Sequence, residues 1–376
     1  MWNVAFSNVL RAHGLERIVP YAFACSAVAA FISPVFVGTL ADRHLSADRL
    51  LRWLTAAMAG MLALTYLAIE RGWGAAWVLA SLLGQALVAS PMWGLSTTIV
   101  LSRLRDPERE FGPLRVWATF GWMASGWIVS YALAADASTR SGFAASAVYL
   151  ALSAFTFTLP EVPPLERAGV RSWSDFFGGR AFALLAHPDH RVVFITAGLF
   201  SIPLAAFFPY TTLQLRDAGV EHVSAAMSLG QITEVLALYG LGGVLRRVRL
   251  KWVFLTGIAI GLVRYALFAL NTPAALIAGI VLHGCSFTLF FITAQIYLEL
   301  RVAPELRARA QGLVTLMTVG FGNLAGYLGC GWWLAVCRRA GAVAWPHFWL
   351  GLCAVIAAVL VFFVLAYRGV GRSRGA

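Results

Sequence analysis

Apolar runs long enough to cross a bilayer recur from one end of this 376-residue chain to the other. An α-helix needs about 20 residues to span the ~30 Å hydrocarbon core. Eleven runs meet that length approximately: 19–40, 51–70, 74–102, 115–135, 143–159, 191–212, 224–246, 250–271, 273–299, 311–337 and 347–367. Residues 1–12 form a twelfth, incomplete run. The breaks carry helix-stop chemistry, as in Asp136-Ala-Ser-Thr139, Asn271-Thr-Pro273 and Trp345-Pro346. Hydrophobic residues make up 60% of the chain and charged ones 12%, against ~25% charged in soluble proteins. A soluble fold of this size cannot hide so much apolar surface. The composition excludes a soluble enzyme, a disordered chain and a secreted disulfide scaffold, and predicts an all-α, multi-pass membrane protein.

The net charge of +12 is a topological label. Of the 29 basic residues, 21 fall on one side of the predicted spans and 7 on the other, with Arg264 inside a span. The rich side holds Arg43, Arg49 and Arg52, Arg103 to Arg115, Arg167 to Arg191, Arg246 to Lys251, Arg301 to Arg309, and the C-terminal arginines. The positive-inside rule makes that side, and the C-terminus, cytoplasmic. No nucleic acid partner is expected. The five cysteines lie in or beside apolar runs without a C-x-x-C pair, so free thiols are expected and no metal site. No cleavable signal peptide is visible.

A Pro-, Gly- and Arg-rich segment at 161–190 divides the chain into an N-terminal helical bundle, 1–160, and a C-terminal one, 191–376. The halves look related. Gly38-Thr-Leu-Ala-Asp-Arg43 parallels Gly243-Val-Leu-Arg-Arg247, Asp106-Pro-Glu108 parallels Ala303-Pro-Glu305, and Phe120-Gly121 parallels Phe321-Gly322. All are offset by about 200 positions, as in parallel six-helix repeats. By that offset the partner of the 191–212 span would begin before Met1, so the first helix is expected to be truncated.

Charged residues inside spans are functional candidates because burying them is costly. Glu234 lies mid-span, with Gln231 one turn earlier on the same face. A carboxylate there can load and release a proton; the alternative is a static ion pair. Arg264 either snorkels to the interface or pairs with Glu234 or its neighbours. His283, the one mid-span histidine, is a proton-relay candidate or a packing residue. Arg115, Thr119 and Trp122 fall at i, i+4 and i+7, one helix face. Arginine offers forked donors and tryptophan a stacking surface for a polar ring, although an interfacial arginine and a membrane-belt tryptophan would share this pattern. Phe287 is a second stacking candidate or plain packing. Gly320-Phe-Gly-Asn-Leu-Ala-Gly326 has small-residue spacing suited to close helix packing and follows no strand, so it is no nucleotide loop. Walker, H-E-x-x-H and G-x-S-x-G motifs are absent from the sequence, and no acid/base pair suggests an enzyme.

Gly38-Thr-Leu-Ala-Asp-Arg43 resembles the loop signature of the major facilitator superfamily, with Leu45-Ser-Ala-Asp48 replacing its usual second glycine and basic cluster. That resemblance implies the major facilitator fold of two six-helix bundles, and gating roles for Asp42 and Arg43. The chain further resembles the bacterial nucleoside:proton symporter family. The residues carrying this are Arg115-Val-Trp-Ala-Thr-Phe-Gly121, Gly230-Gln-Ile-Thr-Glu234, Arg264-Tyr-Ala-Leu-Phe268, His283-Gly-Cys-Ser-Phe287, Pro304-Glu-Leu-Arg-Ala-Arg-Ala-Gln-Gly312 and Gly320-Phe-Gly322. The resemblance implies nucleoside-binding roles for Arg115, Thr119, Gln231, Glu234 and Phe287, with proton coupling at Glu234. Thr288 stands where that family carries an acid, and Ala205 and Phe208 where it carries amides. A second resemblance, to lactose permease-like sugar:proton symporters, rests on Glu110-Phe-Gly112, Arg115 and Gly121-Trp122, with Arg264 and His283 at relay positions and Ser286 in place of a carboxylate.

Together with the membrane spans, these resemblances imply a bacterial inner-membrane importer of nucleosides or similar polar molecules, driven by proton symport through alternating access. The alternatives are a sugar:proton symporter and a non-transporting, degenerate paralogue or sensor. The expected substrate-binding set is Arg115, Thr119, Trp122, Gln231, Glu234 and Phe287, and the proton-coupling set is Glu234, Arg264 and His283. No cofactor is expected. The expected partners are a nucleoside or sugar, protons and the lipid bilayer, and the expected unit is a monomer.

Overall fold

A computed structural model of the chain describes residues 2–43, 46–162, 182–339 and 341–369, with the side chains of 33–43, 107–109, 111–113, 115, 304, 305 and 308 outside that description. The described chain is almost entirely helical, as its composition requires. In hydrocarbon only a helix or a closed barrel satisfies its own backbone. Among the described residues, nine helical segments are long and apolar enough to cross a membrane, from Ala47–Glu70 to Trp345–Ala366.

The first half comprises α1 (Trp2–Ala12), α2 (Val19–Arg43), α3 (Ala47–Glu70), α4 (Ala75–Ala89), α5 (Met92–Leu101), α6 (Pro107–Trp127) and α7 (Arg140–Phe155). The second comprises α8 (Pro188–Leu204), α9 (Phe207–Asp217), α10 (Val223–Arg247), α11 (Leu250–Ala269), α12 (Pro273–Phe287), α13 (Thr293–Arg301), α14 (Pro304–Thr315), α15 (Asn323–Val336) and α16 (Trp345–Ala366). A two-residue hairpin, Arg338–Arg339 with Ala342–Val343, precedes α16.

The apolar runs and the helices differ at their ends for physical reasons. The 115–135 run begins two turns inside α6, which starts at Pro107. Proline suits the first helical turn, where its missing N–H is not needed, and charged Glu108, Arg109 and Glu110 extend the helix beyond its apolar part. The 74–102 run is interrupted between α4 and α5 at Ser90-Pro91. The 191–212 run breaks between α8 and α9, just after Pro203 inside α8. Wider, π-type turns interrupt three runs, at Ile128–Ala132, Thr288–Ile292 and Leu316–Gly322. Such turns often mark functional sites.

The described fold divides into two compact units, Met1–Phe176 with Phe208–Ser228, and Phe177–Phe207 with Leu229–Ala376. In the first, α3 packs on α4 and α7. Its start is pinned by Asp48, whose buried carboxylate accepts the Val162 N–H at 3.1 Å, over a small core of Leu50, Leu51, Leu95, Ile99 and Val162. In the second, α11 packs between α12 and α16, and α8 packs on α15 and α16. Its core is aromatic: Phe200, Phe254, Phe268, Phe290 and Trp349 are fully buried.

Candidate functional site

In the first unit, Arg115, Thr119 and Trp122 all lie on α6, at a spacing that shares one helix face. Thr119 and Trp122 are half-buried; the Arg115 side chain lies outside the described residues. Trp122 meets Phe208 edge to face, with ring centroids 6.2 Å apart. Phe208 is not among the residues expected to bind substrate, and the sequence signal for it is the Ala205-Ala-Phe-Phe-Pro209 break. Asp42 and Arg43 close α2, and their side chains too lie outside the described residues.

In the second unit, α10 and α12 cross at glycines. A Cβ on Gly284 would overlap the backbone of Glu234 and Gly230, and one on Gly230 would stand 2.9 Å from the Ile280 carbonyl. Thr233 bonds across the crossing, donating its hydroxyl to the Val281 carbonyl. The backbone of Glu234 is therefore seated directly on α12. Gln231 and Glu234 are both half-buried, and Glu234 lies eleven residues into α10, roughly 16 Å from its start.

Arg264 and His283 form a buried pair. Arg264 is fully buried and His283 nearly so. The guanidinium Nη1 lies 2.5 Å from His283 Nδ1. Arginine has no acceptor, so Nδ1 accepts and the ring proton sits on Nε2. The His283 ring stacks on Phe207 at 4.0 Å and continues to Phe287 at 6.1 Å. The guanidinium also lies 5.0 Å from the Phe207 ring centroid and 4.5 Å from that of Tyr265, within cation–π range. Tyr265 donates its hydroxyl to the Pro203 carbonyl at 2.6 Å, anchoring this group to the end of α8. Full burial rules out the snorkelling alternative for Arg264. The contacts of Phe207 and Tyr265 with the arginine carry no signal in the sequence, because only the packing of α8, α9, α11 and α12 brings them there.

Ser286 and Thr288 stand at two positions where the resemblances imply carboxylates. Ser286 donates to the Gly257 carbonyl at 2.8 Å, and Thr288 is fully buried. Both are uncharged, so the acidic chemistry available along α10 and α12 is that of Glu234.

An almost entirely helical chain with many membrane-capable helices, a mid-helix glutamate whose backbone sits on a glycine and half-buried aromatic and amide groups describes a secondary transporter of the major facilitator fold. The family model described as nucleoside H+ symporter matches residues 2–371, and the chain belongs to that family. It is 31% identical to the putative nucleoside transporter YegT of Escherichia coli K12, over 93% of this chain and 85% of that protein. It is 30% identical to the nucleoside permease NupG of the same organism, over 90% of this chain and 84% of that one. A crystal structure of a NupG mutant superposes with a TM-score of 0.89 at 25% identity, covering 98% of this chain and 95% of that one.

Proposed function

We propose that this protein imports nucleosides together with protons by alternating access. The observation that carries the reading is the match of the nucleoside H+ symporter family across residues 2–371. The seating of Glu234 on Gly284 supports it, because a carboxylate held at mid-helix is suited to take up and release a proton. Among the candidate groups, Arg115 and Gln231 hydrogen-bond the substrate, Thr119 adds a hydroxyl, and Trp122 and Phe287 stack on its rings. Glu234 binds substrate and carries the proton.

Arg264 and His283 support coupling by holding a fixed positive charge beside α10, where His283 packs against Gly230. Asp42 and Arg43 gate the cycle. The two halves, divided by 161–190, act as the moving bundles. The C-terminus faces the cytoplasm of a bacterial inner membrane, in keeping with the arginine asymmetry, and the functional unit is a monomer.

Purified protein in proteoliposomes tests this reading. Imposing an acidic outside should drive accumulation of labelled nucleoside above its equilibrium level. Accumulation of a disaccharide instead would favour the sugar symporter, and transport of neither would favour the sensor.

A further inference from the structure

The residues just before α10 are poor caps. Val220, Glu221 and His222 precede it, none of which is a favoured N-cap residue. The cap comes from 88 residues earlier in the chain. Asp136 is 5% exposed, and its Oδ1 accepts the Ser224 N–H at 2.7 Å. Ser130 Oγ, also buried, accepts the Ala225 N–H at 3.0 Å. Trp127 Nε1 donates to Ser228 Oγ at 3.0 Å, one turn further on. Gly126 allows this approach, since a Cβ there would stand 2.7 Å from the Ser224 carbonyl.

A carboxylate capping free backbone N–H groups gains both from the charge-assisted bonds and from the positive end of the helix. Two or three turns along the same helix lie Gln231 and Glu234. A cavity lined by Ser130, Asp136, Arg216, Glu221 and His222 opens beside the cap, so water can reach the vacated groups if the contact separates.

We propose that Asp136 is a positioning residue: it latches the loop after α6 to the start of α10, and the transport cycle breaks and remakes this cap. The proposal rests on the alternating-access reading. By the arginine asymmetry the latch lies on the outer side. A second tie runs alongside it, the ion pair of Arg11 and Asp217 at 2.7 Å. Those side chains are 25% and 40% exposed, so solvent screens the ion pair itself, while Arg11 also donates to the Leu213 carbonyl at 3.3 Å. The Asp136 cap is the more deeply buried of the two.

The test is a distance measurement between spin labels on cysteines placed at exposed Arg140 and Glu221, in a chain whose five native cysteines are replaced, reconstituted in liposomes. With Asp136 present a short distance should dominate. Asp136→Ala should add a longer population that grows several-fold, Asp136→Asn should fall between, and Arg11→Gln should stay close to the parent. Transport should show a several-fold fall in maximal rate with little change in half-saturation, because the substrate groups are untouched. An unchanged distance distribution in Asp136→Ala overturns the proposal. If that variant does not fold, an unchanged distribution in Asp136→Asn, which keeps an acceptor oxygen but loses the charge, overturns it instead. The distances need no substrate, so they stand whether or not the nucleoside reading does.

Discussion

Arg264 donates a guanidinium proton to Nδ1 of His283 across 2.5 Å, with both side chains buried. The donor stays charged and the acceptor is a neutral ring nitrogen. A second proton on that ring would face the guanidinium directly. The pair therefore reads as a fixed cation held in place by His283 and the Phe207 and Tyr265 rings, in keeping with the proposal that Glu234 loads the proton.

Removing the acceptor should expose the cost of this arrangement. His283→Leu leaves a buried guanidinium donor without its acceptor, and a buried polar group left unsatisfied costs about 1–3 kcal/mol. The melting temperature in detergent should drop clearly. His283→Gln, which retains an acceptor oxygen, should recover part of the loss. Equal melting of His283→Leu and the parent would contradict the pairing.

Glycine at 284 is required by the α10–α12 crossing. Gly284→Ala places a methyl group against Glu234 and Gly230, and overpacking of this kind costs roughly 1–3 kcal/mol. Proton-driven uptake should fall steeply. Gly240→Ala is the matched control, because a Cβ there meets nothing within 4 Å, and its uptake should equal the parent's. Similar behaviour of the two variants would argue against a tight crossing.

Trp122 is proposed to stack on the substrate ring. Trp122→Ala should raise the half-saturation constant about tenfold, the scale of ~1.4 kcal/mol of lost aromatic contact. Trp122→Phe should keep most of the affinity. Initial-rate kinetics over a range of nucleoside concentrations measure this, and an unaltered constant in Trp122→Ala would assign the residue to packing against Phe208.

The membrane-crossing layout is legible in the sequence because hydropathy over about 20 residues reports it directly. Helix ends are less so. The apolar part of α6 starts near Arg115, yet the helix starts at Pro107, because proline and charged residues can open a helix that continues into lipid. The break after α8 is signalled by Pro203 and Pro209 but lies hidden within an apolar run. Glu234, Arg264 and His283 stand out singly, since polar groups in spans are rare. Their partners do not: Arg264 and His283 are 19 residues apart on separate helices, and the seat of Glu234 is a glycine fifty residues away. Asp136 is visible only as a helix-stop residue. Its capping role needs the fold that brings α10 beneath it.

The central claim is that Glu234 couples proton movement to nucleoside import. Proteoliposomes holding the parent protein and Glu234→Gln, under an imposed pH gradient acid outside, test it most directly. The parent should concentrate labelled nucleoside, while Glu234→Gln should lose accumulation yet still exchange internal for external nucleoside. Undiminished, gradient-driven accumulation by Glu234→Gln would contradict the account.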